Sequence, residues 1–277
     1  METTLVIGDK ILMSKLDFGP KIGLFDKRFS GFSRIRQGDL IVFQGKGNKN
    51  EKLIKRCIGL PGSVFEMRAG EVFVNNSIYI SNVKQDYEVY VSNKKNFIAF
   101  ADSMKLNYLF SESLTQKSQS ANVILTTDER EKLRSLSFTD SIRYRQGNEG
   151  LSLEVTIWGK DLKWDRGDFG PLLIPGKGTR ISLSDKNYII YKDIIETTEQ
   201  VSIVRKDDGV YLDGLKAADY TFKNDYYFVL GDNRNVSVDS RFLGFIPESD
   251  IDGKAILVLF SNEQFDIKWK RIFNYLD

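Results

Sequence analysis

Histidine is absent from the 277 residues. Without an imidazole there is no Ser-His-Asp or Cys-His nucleophile system, no histidine-ligated zinc site, and no unperturbed side chain that titrates in the middle of the physiological range. Acid/base chemistry has to come from Lys, Asp, Glu or Tyr. Cysteine is nearly absent as well: a single residue, Cys57, excludes an intrachain disulfide framework and any multi-cysteine metal cluster. An excess of one charge is also lacking. Lys+Arg 40 against Asp+Glu 38 leaves +2, which is not the basic footprint of a nucleic-acid binder. No apolar run approaches the roughly 20 residues that span a bilayer. Met1 to Lys10 lacks the charged, apolar and small-residue parts of a signal peptide, so the chain by itself reads as soluble.

What is present is 41% hydrophobic content, enough to bury a full core in one large or two modest domains. The opening TLVIGDKILMSK places Gly8-Asp9 between two short apolar runs and predicts a β-hairpin over Thr4 to Lys15. Gly38-Asp39 before Leu40-Ile41-Val42-Phe43 repeats the turn-then-strand pattern, and Leu53 to Leu60 is a further apolar segment closed by Pro61-Gly62. In EVFVNNSIYI, Asn75-Asn76 tolerates the positive φ of a two-residue turn and predicts a hairpin over Glu71 to Ile80. Ser81 to Gln119 reads as polar and irregular, and Thr126 with Glu129 forms a capping box that opens a short helix to about Leu136. Two prolines and three glycines in Asp168 to Gly178 predict an ordered loop rather than an element interior. A helix over Asn187 to Gln200 and a hairpin over Val201 to Leu215 follow. Dense β signal returns from Tyr226, and the last apolar run is Ala255 to Phe260.

Two clusters carry chemistry. In Leu53-Ile54-Lys55-Arg56-Cys57-Ile58-Gly59-Leu60-Pro61-Gly62 a lysine sits inside an apolar strand. Alternate strand residues face opposite ways, so Lys55 and Arg56 cannot share an environment. A lysine partly buried among Ile and Leu loses its proton more readily, and the neutral amine is a general base able to activate a hydroxyl without histidine. The strand alone leaves open the plainer reading, in which Lys55 snorkels from a sheet edge into water. The second cluster, GDNRNVSVDSR over Gly231 to Arg241, interleaves two Asp/Arg pairs with short turn formers between apolar segments, which suits a polar loop pinned by charge-assisted hydrogen bonds. Cys57 lies two residues from Lys55, where a Cys/Lys arrangement competes with a small buried hydrophobe. Ser14 and Ser63 read as turn or strand-surface residues.

Together, IKRCIGLPG and GDNRNVSVDSRFLGFIP resemble two motifs of the bacterial type I signal peptidases, membrane-bound endopeptidases with a serine/lysine dyad. The opening METTLVIGDKILMSK and the ending around Trp269-Lys270-Arg271-Ile272-Phe273 resemble the family's as well. The resemblance implies Lys55 as general base, Ser237 as the hydroxyl that orients it, and Asp232, Arg234, Asp239 and Arg241 as the polar scaffold. It also implies that Met1, Leu5 and Ile54 line shallow apolar pockets for the small side chains before the cleavage point. Replacing Arg56, on the other strand face, by Ala is expected to leave substantial activity.

The resemblance departs at the start. In the family the nucleophilic serine immediately precedes the methionine that aligns with Met1, which implies a nucleophile just upstream of Met1 and a membrane anchor before it. Thr3 stands where the family usually has proline. The expected fold is mostly β, a signal-peptidase-like β core of residues 1–67 and 224–277 with a mixed α/β insertion over 68–223. The expected function is removal of signal peptides from exported precursors at the outer face of the bacterial cytoplasmic membrane. No metal or organic cofactor and no nucleic acid is implied. A catalytically silent peptide-binding homologue is the alternative. A self-cleaving repressor is a weaker one, since neither a cleavable segment nor a DNA-binding part is visible.

Overall fold

The structure is a computed structural model that describes residues 4–19, 31–45, 48–110, 119–145, 158, 160–263 and 266–276. It is mostly β, as the sequence predicts. Its largest sheet has seven strands. In spatial order they are Asp9–Ser14, Ile251–Glu263, Leu40–Gly45, Asn48–Gly59, Tyr226–Leu230 and Ile246–Pro247, with Asp266–Ile267 paired to Ile251–Glu263. The pairing that matters for the site is antiparallel: Val229 lies opposite Cys57 and Leu230 opposite Arg56. The strand Tyr226–Leu230 is buried at every residue and therefore delivers the loop that follows it to a fixed place beside Lys55 and Arg56.

Two further four-stranded sheets come from the middle of the chain. Phe169–Leu173, Val64–Arg68, Glu71–Val74 and Ser77–Ile78 form one of them. Its predicted hairpin turns at Asn75 and Asn76, with φ of 51° and 62°. The other is Thr139–Tyr144, Gln85–Val91, Gln119–Leu125 and Tyr108–Phe110, flanked by helices Lys94–Ser103 and Thr127–Arg134. The predicted capping box is present: Glu129 N donates to Thr126 Oγ1 at 3.2 Å and Thr126 N to Glu129 Oε2 at 2.8 Å. The largest apolar cluster draws on several of these elements. Phe65, Trp158, Phe169, Phe228 and Phe245 meet there, with Phe65 and Phe228 centroids 4.3 Å apart.

Three sequence expectations are corrected. Gly8 does turn, at φ 94°, but the described residues before it, 4–7, form no strand. Asp9–Ser14 pairs with Ile251–Glu263 instead, because Leu5 is buried with Leu40, Ala255 and Val258 while Arg271 holds Thr4 O and the Asp9 carboxylate. The described residues between Ser81 and Gln119 are not irregular. QDYEVYV alternates, burying Tyr87, Val89 and Val91, and Asn93 then caps a helix that buries Phe97 and Ala101 one turn apart. Finally, Phe169–Leu173 is a strand despite Pro171. It lies at the edge of its sheet, where a missing N–H is tolerated, and its register shifts between Phe169 and Leu172.

Candidate active site

Strand alternation sends Lys55 and Arg56 to different partners. Lys55 is half-buried, and its Nζ donates to Ser237 Oγ at 3.1 Å. Burial draws its pKa below the ordinary lysine value. Asp239 opposes that shift, Arg241 adds to it, and Asp232 opposes it. Arg56 is buried and forms a fork with Asp232, Nε to Oδ1 at 2.9 Å and Nη2 to Oδ2 at 2.9 Å, while Nη1 reaches Gly38 O at 2.8 Å. Thr4 Oγ1 donates to the same carboxylate, and Gln85 Nε2 to Asp232 O at 3.2 Å.

The loop from Gly231 to Arg241 is built around a second buried ion pair. Asp239 and Arg241 are each 0% exposed. Arg241 Nε and Nη2 both donate to Asp239 at 2.9 Å, and Gly231 N donates to Asp239 Oδ2 at 3.0 Å. Burial alone would raise the Asp239 carboxyl, but the Arg241 charge, its hydrogen bonds and the Gly231 N–H hold it below the usual aspartate range. Arg241 Nη2 also donates to Arg234 O at 2.8 Å and Arg234 Nε to Gly231 O at 3.0 Å, which closes the network. Trp158 Nε1 donates to Arg241 O at 2.8 Å and ties this network to the aromatic cluster.

Gly231 is required by close approach. A Cβ there would lie 1.9 Å from Ser237 Oγ and 2.5 Å from Ser237 Cβ. Gly231→Ala is therefore expected to push Ser237 away from Lys55 and to destabilise the fold by about 1–3 kcal/mol, read from the urea midpoint at constant slope. An unchanged midpoint would show that the loop accommodates the methyl group.

The structure thus brings Lys55, Ser237, Asp232, Arg234, Asp239 and Arg241 into one connected site. Leu5 and Ile54 meet in one apolar cluster with Val42 and Leu276. Met1 lies outside the described residues. Cys57 is core: it is 0% exposed, packs with Phe43 and Val229, and burial pushes its thiol far up, which makes it inert. Ser14 Oγ accepts from Asp17 N at 3.2 Å and Ser63 Oγ donates to Leu60 O at 2.6 Å, so both serve turns. Sequence reading missed the role of Arg56 and the contributions of Thr4, Gln85, Tyr144, Trp158 and Arg166. Beside Thr4 and Arg56 opens a cleft of about 770 Å³ whose lining includes Asp39, Lys254, Ile80 and Ile124.

The profile of the family described as "Signal peptidase, peptidase S26" matches residues 1–130 and 197–260, and the chain belongs to that family. Among curated relatives, signal peptidase I of Buchnera aphidicola subsp. Schizaphis graminum is 26% identical over 269 residues, 97% of this chain and 68% of the relative. Signal peptidase I of Haemophilus influenzae is 22% identical over 275 residues, 99% of this chain and 65% of the relative. That of Aquifex aeolicus is 26% identical over 263 residues, 95% and 73%. The chain therefore spans about two thirds of the length of these relatives. A solved signal peptidase I from Enterococcus faecalis V583 is similar over 80% of this chain and 97% of its own, with 18% identity and a TM-score of 0.30.

Proposed function

We propose that this chain is the catalytic part of an endopeptidase that removes signal peptides from exported precursor proteins, with Lys55 as its general base. The observation that carries the proposal is the half-buried Lys55 amine, 3.1 Å from Ser237 Oγ, beside a loop fixed by a fully buried ion pair. The attacking hydroxyl belongs to a serine directly before Met1 in a longer chain. The register of the family motifs and the greater length of the relatives support this. A segment upstream anchors that longer chain at the outer face of the bacterial cytoplasmic membrane. Among the described residues, no helix is long and apolar enough to cross a membrane. Residues 1–67 and 224–277 carry the chemistry, and 68–223 form an inserted second domain.

In this mechanism the precursor lies extended as an added strand, its small side chains seated at Met1, Leu5 and Ile54. Neutral Lys55 takes the serine proton as the serine oxygen attacks the scissile carbonyl carbon. The protonated amine then gives that proton to the leaving nitrogen as the C–N bond breaks. A water, deprotonated by the same lysine, hydrolyses the acyl-enzyme and restores the serine. Ser237 holds the amine on line, and Asp232, Arg234, Asp239 and Arg241 brace the loop that carries Ser237.

The test is a cleavage assay in detergent on a chain beginning upstream of the serine, beside one beginning at Met1. The longer chain should cut a signal-peptide substrate and the shorter should not. Equal turnover by both would place the nucleophile within these residues. Binding without turnover by the longer chain would favour the silent peptide-binding homologue. Because Lys55 must be neutral to act, kcat/KM should rise with pH through a limb below the ordinary lysine pKa of about 10.4. A limb at that ordinary value, measured from the pH–rate profile, would argue against Lys55 as the base.

A further inference from the structure

The Asp239–Arg241–Arg234 network ties the two ends of the catalytic loop to each other. The middle is held from outside, at Asn235. Tyr144 Oη donates to Asn235 Oδ1 at 2.8 Å and Arg166 Nη1 donates to Asn235 O at 2.6 Å. Arg166 O also accepts from Arg241 Nη1 at 2.9 Å, so Arg166 touches the loop at two points.

Each holder is itself seated. The Tyr144 ring lies so close to Gly70 that a Cβ there would fall 2.2 Å from it, and it meets the Tyr87 ring edge-on at 5.9 Å. Arg166 sits in a tight turn in which Asp165 Oδ1 accepts from Gly167 N and Asp168 N, both at 2.7 Å, and its guanidinium lies over the Phe242 ring at 5.2 Å. Neither is a loose surface side chain that meets the loop by chance. Both belong to residues 131–196, the stretch that the family profile leaves unmatched.

We propose that Tyr144 and Arg166 are positioning residues for the proteolytic site: by clamping Asn235 they hold Ser237 against Lys55 and keep water away from the lysine. The proposal rests on the reading of Lys55 as the base. It makes the unmatched stretch a working part of the site rather than an appendage. Lys55 faces Asp239, Arg241 and Asp232, and Tyr144 faces Arg241, Arg234, Tyr87 and Asp239. Releasing Asn235 leaves these charges in place, and its effect on Lys55 comes from hydration and from the position of Ser237.

The experiment titrates Lys55 in the 277-residue chain. With lysine Cε labelled by carbon-13, the Lys55 resonance is identified by its loss in Lys55→Arg and followed with pH. Tyr144→Phe removes one hydroxyl and keeps the ring, and Asn235→Ala removes its acceptor. Each should move the Lys55 titration upward by about half a unit or more, and the double variant should move it no further than either alone. Arg166→Ala should do the same, with Arg166→Lys restoring part of the shift. In the active longer chain Tyr144→Phe should lower kcat about tenfold while KM changes by less than about twofold.

A depressed Lys55 titration that stays within about 0.2 units in Tyr144→Phe and Asn235→Ala would overturn the positioning role alone. A Lys55 that titrates at the ordinary lysine value in the unsubstituted chain would instead overturn the reading of the base, and the proposal with it.

Discussion

In a chain that begins upstream of the serine, Lys55→Ala is expected to reduce signal-peptide cleavage by about 10⁴-fold or more, the scale on which removing an essential base acts. Lys55→Arg should be as inactive, because a guanidinium keeps the charge but gives up no proton near neutral pH. The pair separates basicity from charge. Neither loss should come from unfolding. Lys55 binds a proton less readily in the folded chain than in the unfolded one. Stability therefore rises with pH between its depressed folded value and the ordinary value of about 10.4, and the penalty is full below that window. Lys55→Ala removes the penalty, so its urea midpoint at pH 7 should equal or exceed that of the parent. Activity within tenfold of the parent would reduce Lys55 to a snorkelling edge residue.

Arg56→Ala should do the reverse and cost about 3–5 kcal/mol of stability, the range for removing one partner of a buried ion pair. Asp232 is 0% exposed, and the fork from Arg56 is the guanidinium bonded to both of its oxygens. Thr4 still donates to this carboxylate, but its hydroxyl brings no charge. The double replacement Arg56→Met with Asp232→Leu should recover much of the loss, since the penalty is that of a buried carboxylate deprived of the Arg56 fork. Equilibrium urea unfolding of the three variants measures this directly. A loss under about 1 kcal/mol for Arg56→Ala would place the pair among solvated surface bridges. The expectation from sequence, that Arg56→Ala leaves substantial activity, rests on the strand face Arg56 occupies, and periodicity does not say which carboxylate waits on that face.

That difference runs through the whole molecule. Local rules gave the Asn75-Asn76 turn and the Thr126–Glu129 cap, because their causes lie within a few residues. The alternation in QDYEVYV and the cap at Asn93 were equally local, yet the polar letters around them hid the pattern. The opening hairpin failed for a different reason. Its second arm found a better partner in Ile251–Glu263, and no short window contains that competitor. The pairing of Lys55 with Ser237 was legible only through resemblance to a family, since periodicity places a lysine on a face but names no hydroxyl. Tyr144 and Arg166 had neither aid. Each is an ordinary residue in a stretch with no motif, and becomes part of the site only when tertiary pairing brings Asn235 to it.

The seven-stranded sheet has a consequence in time. Lys55 and Ser237 stand 182 positions apart, and Arg271 must arrive before Thr4 and Asp9 are held. At ribosomal speeds of about 5–20 residues per second, a growing chain carries Lys55 for roughly 10–40 s before Ser237 has been added. The Asn75–Asn76 hairpin can close during that interval, but the seven-stranded sheet cannot, because Asp9–Ser14 and Leu40–Gly45 both pair with Ile251–Glu263. Synthesis order thus leaves the sheet that carries Lys55 unfinished until the strand 251–263 has been added.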